Sequence, residues 1–435
     1  MNLTVHPHGP LSGASTVPGD KSIAHRAVLL GAVAEGESRI DNFPFAGVTR
    51  ATLRVLTGLG VEWEATASTL RIVGNGRSDL TTPIRPLECG NSATTMRLTT
   101  GLLSGANVPA VLDGSNGLRR RPMGPLVQAL RELEVPVHAM DGGHAPLTLA
   151  ARSNGRALRG GIVQLDAPSA QLKSAVLLAG LGASAPVTVI EPAPSRDHTE
   201  RMLRSMGVEI TSEAPERVTL TPPSSPLRPL RLALPGDFSS AAFLITVAII
   251  LPGSSITVLD VGLNPGRTGL LEVLSAMGAR IAVQPTGERG GERIGRISVA
   301  HAPLRGARVS GALVPRMIDE FPALAVAAVC AHGETRVRQA ESLRSKESDR
   351  IAALVNELRA LGANIEEHPD GFTIHGPTPL RGGVVQCHGD HRLAMALAIA
   401  GLAAADPVTI AGAEAIDESF PGFSETLHSL GAQLE

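Results

Sequence analysis

The sequence predicts an α/β fold made of six similar units, which divide naturally into two domains of three units each. Three observations support this prediction. A polar turn that supplies an N-cap residue precedes an Ala- and Leu-rich helix six times along the chain. The second helix of most units ends in a hydrophobic residue and a glycine, which suits the left-handed turn that stops a helix. Units of about 70–85 residues account for nearly the whole chain, which exceeds the usual single-domain length of about 100–200 residues.

Each unit is predicted to contain a short strand, the polar turn, a first helix, a β-branched strand, a second amphipathic helix and a closing strand. The first helices are predicted to begin at Gly19-Asp20-Lys21-Ser22, Gly90-Asn91-Ser92-Ala93-Thr94, Pro168-Ser169-Ala170-Gln171, Gly236-Asp237-Phe238-Ser239, Ile318-Asp319-Glu320-Phe321-Pro322 and Gly389-Asp390-His391-Arg392. The second helices are predicted to end at Leu59-Gly60, Met206-Gly207, Met277-Gly278, Leu361-Gly362 and Leu430-Gly431, whereas the second unit has Leu133-Glu134.

Composition indicates a compact protein and excludes several classes of function. Hydrophobic residues make up 43% of the chain and charged residues 18%, so a large core can be buried. A net charge of -2, with Trp63 as the only tryptophan and no tyrosine, argues against a nucleic-acid surface. The three cysteines show neither a disulfide framework nor zinc spacing, and the apolar run 241–251 is too short for a membrane span of about 20 residues. We therefore expect a cytoplasmic protein that binds neither nucleic acid nor membrane.

The polar turns point to an anionic ligand. Several helix N-termini facing one cleft would favour a polyanion, because each presents free N–H groups and about half a positive charge. Cationic or amide side chains lie in or near most of these turns: Lys21, Arg26, Arg97, Arg121, Gln171, Lys173, Arg196, Lys346, Arg350 and Arg392. Any one of them alone would be an ordinary solvated residue, and Ser or Asp at a helix start is first of all a cap. Their joint occurrence favours anion binding in a cleft.

Carboxylates beside these cations are candidates for acid–base chemistry. Asp319 and Glu347 each stand near cations at helix starts of one unit. Desolvation would raise the pKa of Glu347 while Lys346 and Arg350 would lower it, and a structural ion-pair network is the alternative interpretation. His391 is either a ligand-binding or a core histidine. Neither a metal-binding spacing nor a GxxxxGK[ST] loop occurs, so neither a metal nor ATP is implied.

The whole chain resembles the 5-enolpyruvylshikimate-3-phosphate synthase family. The resemblance rests on motifs in consecutive order: Gly19–Arg26, Gly90–Arg97, Ser169–Ala175, Arg196–Glu200, Leu263–Gly269, Asp319–Pro322, Lys346–Arg350 and Asp390–Arg392. It implies the enolpyruvyl transferase fold, with two domains of three βαβαββ-type units and the active site in the interdomain cleft. It also implies that residues 1–18 and 235–435 form domain I and residues 19–234 form domain II, and that substrate binding draws the domains together.

The resemblance implies an activity as well as a fold. Members of this family transfer the enolpyruvyl group of phosphoenolpyruvate to the 5-hydroxyl of shikimate 3-phosphate, in the shikimate pathway of aromatic amino-acid biosynthesis. We therefore expect these two small molecules as substrates, no cofactor or metal, and a monomer.

Residue roles follow from the same resemblance. Asp319 is implied as the base toward the hydroxyl and Glu347 as the proton donor to the methylene carbon, with Lys21 assisting. Shikimate 3-phosphate is expected to bind Lys21, Ser22, Arg26, Ser169, Ala170, Gln171, Arg196, Asp319 and Lys346. Phosphoenolpyruvate is expected to bind Lys21, Ala93, Arg121, Gln171, Arg350 and Arg392, since guanidinium groups match carboxylate and phosphate geometry.

Three positions depart from the commonest family pattern. Gly47 and Glu418 stand where an Asp and a Lys are frequent, so a phosphoenolpyruvate-binding lysine in the last unit is not expected. Ala93 replaces a common glycine, and its methyl would project toward the phosphoenolpyruvate site. This feature and the segment 196–200 resemble the glyphosate-tolerant class of the family, so we expect reduced glyphosate sensitivity.

Two alternatives are weighed against this interpretation. UDP-N-acetylglucosamine enolpyruvyl transferases have the same architecture, but they usually carry a Cys in the loop that is Gly117–Pro122 here, and this loop has none. A non-catalytic metabolite-binding protein of the same fold would have no need to keep Asp319 and Glu347.

Overall fold

The computed structural model describes residues 1–153 and 157–435, and the chain divides into two compact units. The terminal unit contains Met1–Pro18, Pro235–Glu288 and Arg293–Glu435, and the internal unit contains Gly19–Leu234 and Arg289–Glu292. The sequence-based boundaries place Arg289–Glu292 in the other domain. The structure groups this segment with the internal unit, where Arg201 Nη1 donates a 2.7 Å hydrogen bond to the carbonyl of Gly291.

The elements follow the predicted alternation of strands and helices. Before the internal unit come β1 (Asn2–Val5) and β2 (Ser12–Ser15). The internal unit contains α1 (Lys21–Val33), β3 (Glu35–Asp41), α2 (Gly47–Gly58), β4 (Glu62–Thr66), β5 (Thr69–Asn75), β6 (Leu87–Glu88), α3 (Ala93–Ala106), β7 (Ala110–Asp113), α4 (Asn116–Arg119), α5 (Gly124–Arg131), β8 (Val137–Met140), β9 (His144–Leu149), β10 (Gly161–Gln164), α6 (Ala170–Gly180), β11 (Val187–Ile190), α7 (His198–Ser205), β12 (Ile210–Ala214), β13 (Arg217–Leu220) and β14 (Arg231–Ala233). The remaining elements are α8 (Phe238–Ile250), β15 (Ser255–Gly262), α9 (Gly269–Ala276), β16 (Arg280–Arg289), β17 (Glu292–Ala300), β18 (Arg308–Val309), α10 (Leu313–Arg316), α11 (Phe321–Val329), β19 (Gly333–Val337), α12 (Arg350–Ala360), β20 (Ile365–His368), β21 (Gly371–Gly376), β22 (Gly383–Gln386), α13 (His391–Leu402), β23 (Val408–Ala411) and α14 (Phe423–Ser429).

The strands form small sheets that repeat one pattern. Over the described residues the sheet orders are β14-β3-β5-β4, β6-β7-β9-β8 and β10-β11-β13-β12 in the internal unit, and β16-β17-β15-β2, β18-β19-β21-β20 and β1-β23-β22 in the terminal unit. In the second sheet, β6 pairs parallel with β7 across α3, and the hairpin β8–β9 adds antiparallel to β7. This is the βαβαββ arrangement, and the predicted α/β repeat fold is confirmed.

Two strands, β2 and β14, do not pair with the chain that directly follows them but are exchanged into more distant sheets. β2 precedes α1 in the sequence but pairs parallel with β15, with Ser12 opposite Ser255. β14 precedes α8 but pairs parallel with β3, with Arg231 opposite Arg39. Each exchanged strand therefore completes a sheet whose other strands lie far away in the sequence.

The first helices of the repeats form the core of each unit. α8, α11 and α13 are buried at every residue, so the apolar run 241–251 belongs to a core helix. The apolar core residues of the internal unit and those of the terminal unit form separate clusters. In residues 1–153 and 157–435 no helix has both the length and the apolar character that a membrane crossing requires.

Close packing of α3 on α6 fixes two helix starts relative to each other. A Cβ atom added at Gly101 would lie 2.2 Å from the carbonyl oxygen of Ala175, and one added at Gly105 would lie 2.7 Å from that of Ala179. Because only glycine allows such an approach, the backbones of the two helices are in direct contact. The packing brings the polar N-terminal turns of both helices into one region of the internal unit.

Candidate active site

The predicted N-cap residues of the internal unit cap the first turns of its helices. Asp20 accepts a 3.0 Å hydrogen bond from the N–H of Ile23, Ser92 accepts one of 3.1 Å from Thr95, and Ser169 accepts one of 3.3 Å from Leu172. Lys21, Ala93 and Ala170 are consequently the first residues of α1, α3 and α6. The position of these residues at helix starts agrees with the prediction.

Arg26 is buried, and protein groups surround its guanidinium. It donates to Thr199 Oγ1 at 2.6 Å, to Ser174 Oγ at 2.7 Å, and to the carbonyls of Ser22 at 2.7 Å and Ala170 at 3.4 Å. Arg26 therefore joins the start of α1 to the start of α6, and its hydrogen bonds bring the backbone of Ser22 and Ala170 to one place.

A second arginine, Arg97, connects three further chain segments that contain predicted site residues. Its guanidinium donates to Gln171 Oε1 at 2.5 Å and to the carbonyl of Pro122 at 2.8 Å. Gln171 in turn donates to Thr94 Oγ1 at 2.8 Å. Because Thr94 follows Ala93 and Pro122 follows Arg121, these bonds bring the backbone around Ala93, Arg121 and Gln171 to one place.

Lys173 lies in an ion-paired cluster in the interior. Its ammonium lies 2.9 Å from Glu191 Oε2 and 2.9 Å from Glu200 Oε1, and its side chain is only 2% exposed. Burial alone would lower the pKa of Lys173, but Glu200 and Glu191 outweigh it and the pKa lies above its ordinary value. The expectation that Lys173 is one of the ligand-facing cations is therefore wrong. Arg196, by contrast, is half-buried in the loop that follows Glu191.

The terminal unit brings Asp319 together with two arginines. Asp319 Oδ1 lies 3.6 Å from Arg350 Nη1, and Asp319 Oδ2 lies 3.6 Å from Arg392 Nη2. Arg392 also donates a 3.3 Å hydrogen bond to the Asp319 carbonyl. Both guanidinium groups are nearly buried, whereas the Asp319 carboxylate is 15% exposed.

Glu347 joins the same cluster through Arg350. Glu347 Oε2 lies 2.5 Å from Arg350 Nη2, and Asp390 Oδ2 accepts from Arg350 Nε at 2.7 Å. Burial alone would lower the pKa of Arg350, but Asp390 and Glu347 raise it above its ordinary value. Burial would likewise raise the pKa of Asp390, but Arg350 holds it below its ordinary value. Arg350 is thus a permanent cation that connects the two predicted acid–base residues.

The site histidines are buried and neutral at pH 7. Burial, with Arg392 next in effect, lowers the pKa of His391 to about 4, and burial together with Arg26 and Lys21 lowers that of His25 to about 3. The core interpretation of His391 is therefore favoured over a charged ligand-binding role. Lys346 is half-buried beside Glu347, at the end of a 3₁₀ turn.

The departures at Gly47 and Glu418 also have definite places. Gly47 begins α2, and Glu418 ends the 3₁₀ turn Ala413–Glu418. Across residues 1–153 and 157–435 no group of three or more His, Cys, Asp or Glu side chains is placed to hold a metal ion.

The sequence did not assign an organising role to Arg97, Asp390 or Glu191, although Arg97 was expected among the ligand-facing cations. Arg97 and Asp390 stand inside recognised motifs, which is a usable signal, but their partners could not be predicted from the motifs. Glu191 is an acid that follows a strand and carries no local signal at all.

The architecture has a counterpart among solved structures. The enolpyruvyl transferase NikO from Streptomyces tendae matches with a TM-score of 0.78 over 100% of this chain and 98% of that chain, at 20% identity. This likeness establishes the class at the level of fold: the chain has the enolpyruvyl transferase fold.

Sequence comparisons then identify the family. The EPSP synthase (3-phosphoshikimate 1-carboxyvinyltransferase) family model matches residues 5–427. A 3-phosphoshikimate 1-carboxyvinyltransferase of Desulforudis audaxviator is 48% identical over 99% of both chains, and one of Xanthomonas campestris is 47% identical over 98% of this chain and 96% of the relative. The structure of EPSP synthase from Acinetobacter baumannii matches with a TM-score of 0.87 at 37% identity, over 100% of this chain and 99% of that chain. The chain belongs to the EPSP synthase family.

Proposed function

We propose that this chain transfers the enolpyruvyl (carboxyvinyl) group of phosphoenolpyruvate to the 5-hydroxyl of shikimate 3-phosphate and releases phosphate. The observation that carries the proposal is the nearly full-length match to the 3-phosphoshikimate 1-carboxyvinyltransferase family. The placement of Asp319 and Glu347 on one buried arginine supports it, because the reaction needs a base and an acid.

The chemistry assigns distinct tasks to the two carboxylates. Asp319 takes the proton of the 5-hydroxyl as its oxygen forms a bond to C2 of phosphoenolpyruvate, and Glu347 gives a proton to C3. The tetrahedral intermediate then loses phosphate from C2 and a proton from C3, which restores the double bond. Lys21, Arg350 and Arg392 stabilise the developing negative charge.

Substrate binding is assigned by cluster. In the internal unit, shikimate 3-phosphate is proposed to bind Lys21, Ser22, Arg26, Ser169, Ala170, Gln171 and Arg196. Phosphoenolpyruvate is proposed to bind Lys21, Ala93, Arg121 and Gln171. In the terminal unit, Asp319 and Lys346 are proposed for shikimate 3-phosphate, and Arg350 and Arg392 for phosphoenolpyruvate. The N-terminal turns of α1, α3 and α6 add backbone N–H groups that suit anions. A monomeric state remains a prediction from the family resemblance, and a cytoplasmic location remains a prediction from composition.

The test is phosphate release from phosphoenolpyruvate, with shikimate 3-phosphate or UDP-N-acetylglucosamine as co-substrate. We expect release with shikimate 3-phosphate only, and a loss of about 10²-fold or more in kcat for Glu347→Gln and Asp319→Asn. Glu366→Gln is the matched control, because Glu366 is an exposed acid of the same unit on β20.

The possible outcomes separate the alternatives. Release only with the nucleotide sugar would contradict the substrate assignment, and binding of both substrates without any release would support a non-catalytic binding protein. Full activity in Glu347→Gln would leave the substrate assignment intact but contradict the role of Glu347.

Ala93 supports a proposal about inhibition. Its side chain is buried at the first position of α3. In the proposed site, the Ala93 methyl leaves less room for phosphoenolpyruvate or glyphosate than a glycine would. We expect Ala93→Gly to lower the glyphosate inhibition constant by about tenfold, since relieving an overpacked methyl is worth about 1–3 kcal/mol. Equal inhibition constants for the two proteins, measured at the same phosphoenolpyruvate concentration, would contradict the proposal.

A further inference from the structure

A buried ammonium in the internal unit joins three chain segments. Lys173 Nζ lies 2.9 Å from Oε2 of Glu191, which directly follows β11, and 2.9 Å from Oε1 of Glu200 on α7. It also donates to the carbonyl of Ser195 at 3.3 Å. Lys173 itself stands on the first turn of α6. One charged group thus connects α6, the loop after β11 and α7.

The three charged side chains of this cluster are buried to a degree that is unusual for ionised groups. The side chains of Lys173, Glu191 and Glu200 are each exposed by 2% or less. Ion pairs in such an interior seldom add net stability, because removing the charges from water costs about as much as their attraction returns. A role in fixing geometry explains the arrangement better than a role in stability.

Glu191 extends the cluster to two segments proposed to bind substrate. Its Oε1 accepts a 2.8 Å hydrogen bond from the N–H of Ser169, and its Oε2 accepts one of 2.8 Å from Ser195 Oγ. Ser169 begins the Ser169-Ala170-Gln171 turn, and Ser195 directly precedes Arg196. The position of both segments therefore depends on where Lys173 holds Glu191.

We propose that Lys173 is a positioning residue for shikimate 3-phosphate, acting through Glu191 and Ser195 to hold the 169–171 turn and Arg196 in binding geometry. This inference rests on the proposed function, since it assigns the two segments to that substrate. Lys173 touches no substrate itself. Loss of the Lys173 ammonium moves the 169–171 turn and Arg196, which are proposed to contact the substrate. Small misplacements of binding groups have large effects on substrate binding and turnover.

The experiment compares KM values for the two substrates in the full-length protein. Lys173→Met removes the ammonium and leaves the buried carboxylates of Glu191 and Glu200 without their positive counter-charge, so this variant can fail to fold. The double variant Lys173→Met with Glu200→Gln keeps the net charge of the cluster at that of the wild type, and it leaves the two side-chain and backbone donors to Glu191, Ser195 Oγ and the Ser169 N–H, chemically unchanged. Arg204→Met is the matched control, because Arg204 is an exposed residue of α7 that hydrogen-bonds the carbonyl of Ile210 and Ser212 Oγ.

We expect the double variant to raise KM for shikimate 3-phosphate by about tenfold or more while KM for phosphoenolpyruvate stays within about twofold. The control is expected to leave both constants within about twofold. Circular dichroism and thermal unfolding establish that each variant is folded.

Three results would overturn the proposal. The first is a folded double variant with an unchanged KM for shikimate 3-phosphate, and the second is an equal rise in both constants. The third is a double variant that does not fold, which would make Lys173 a requirement for core stability. Failure of the proposed function is recognised separately, because the wild-type protein would then not turn over shikimate 3-phosphate. In that case the role proposed for Lys173 would be contradicted as well.

Discussion

The buried imidazole of His25 makes the stability of the protein depend on pH. His25 Nδ1 shares a 2.7 Å hydrogen bond with Thr52 Oγ1, and Thr52 shares one of 2.8 Å with Thr95. Burial, with Arg26 and Lys21 next, lowers the pKa of His25 from 6.5 to about 3. Between these values the unfolded chain binds the proton and the folded chain does not, so stability falls as pH falls through this window. From pH 7 to pH 5, His25 alone is expected to cost about 2 kcal/mol.

Urea denaturation of the wild type and of His25→Asn at both pH values checks this expectation. Asparagine can still hydrogen-bond Thr52 but does not titrate, so the variant is expected to lose less stability on acidification. Equal losses in the two proteins would show that His25 is not the responsible group.

At the scale of single residues, the sequence predicts positions better than partners. Lys21, Gln171 and Asp319 lie at or beside helix starts, as their motifs indicate. The burial of Lys173 is not predictable, because Glu191 and Glu200 come from a later loop and helix and only folding brings them to its ammonium. A lysine in a first turn has the same local pattern whether it meets a ligand or a buried acid.

The contact between α3 and α6 gives a prediction for whole elements. Replacing a glycine inside a helix by alanine normally stabilises a protein by up to about 1 kcal/mol. At Gly101 we expect the opposite, a loss of about 1–3 kcal/mol or more, because the new Cβ would lie 2.2 Å from the Ala175 carbonyl oxygen. The helices would move apart, which would also disturb the Thr94–Gln171 hydrogen bond.

Thermal unfolding and KM measurements on Gly101→Ala test this expectation. Gly124→Ala is the control, since a Cβ there would have its nearest neighbour at an ordinary 3.9 Å. A stabilised Gly101→Ala protein with unchanged kinetics would mean that the two helices do not pack this closely.

Local signals explain why the repeated elements were predictable. N-cap residues and terminal glycines act within a few residues of the helix they bound, and the polar caps at Asp20, Ser92 and Ser169 are seen as predicted. The exchange of β2 and β14 carries no such signal, since a strand's own residues do not specify which distant strand it pairs with. The assignment of residues 1–18 and 235–435 to one domain was expected only because the motifs resemble a family whose chain is divided in this way.

The whole molecule is organised around two hydrophobic cores, each contained in one unit. The fold class was predictable because six similar units imply a repeated architecture. The assignment of Arg289–Glu292 to the internal unit was not predictable, because nothing local in this segment indicates its long-range partners, such as His198, whose Nδ1 lies 2.6 Å from Glu292 Oε1.

Because the internal unit has its own core and is almost continuous in sequence, residues 19–234 are expected to fold alone. The excised segment should unfold cooperatively in urea but be less stable by about 1–3 kcal/mol, since His198 loses Glu292 in a buried position. It should bind shikimate 3-phosphate in a calorimetric titration, more weakly than the full chain because Asp319 and Lys346 are missing. It should release no phosphate, because both proposed acid–base residues lie in the terminal unit.

Two outcomes would contradict these expectations. A folded segment with no affinity for shikimate 3-phosphate would contradict the assignment of Lys21, Ser169 and Arg196 to that substrate. A segment that does not fold would show that the internal core depends on the rest of the chain.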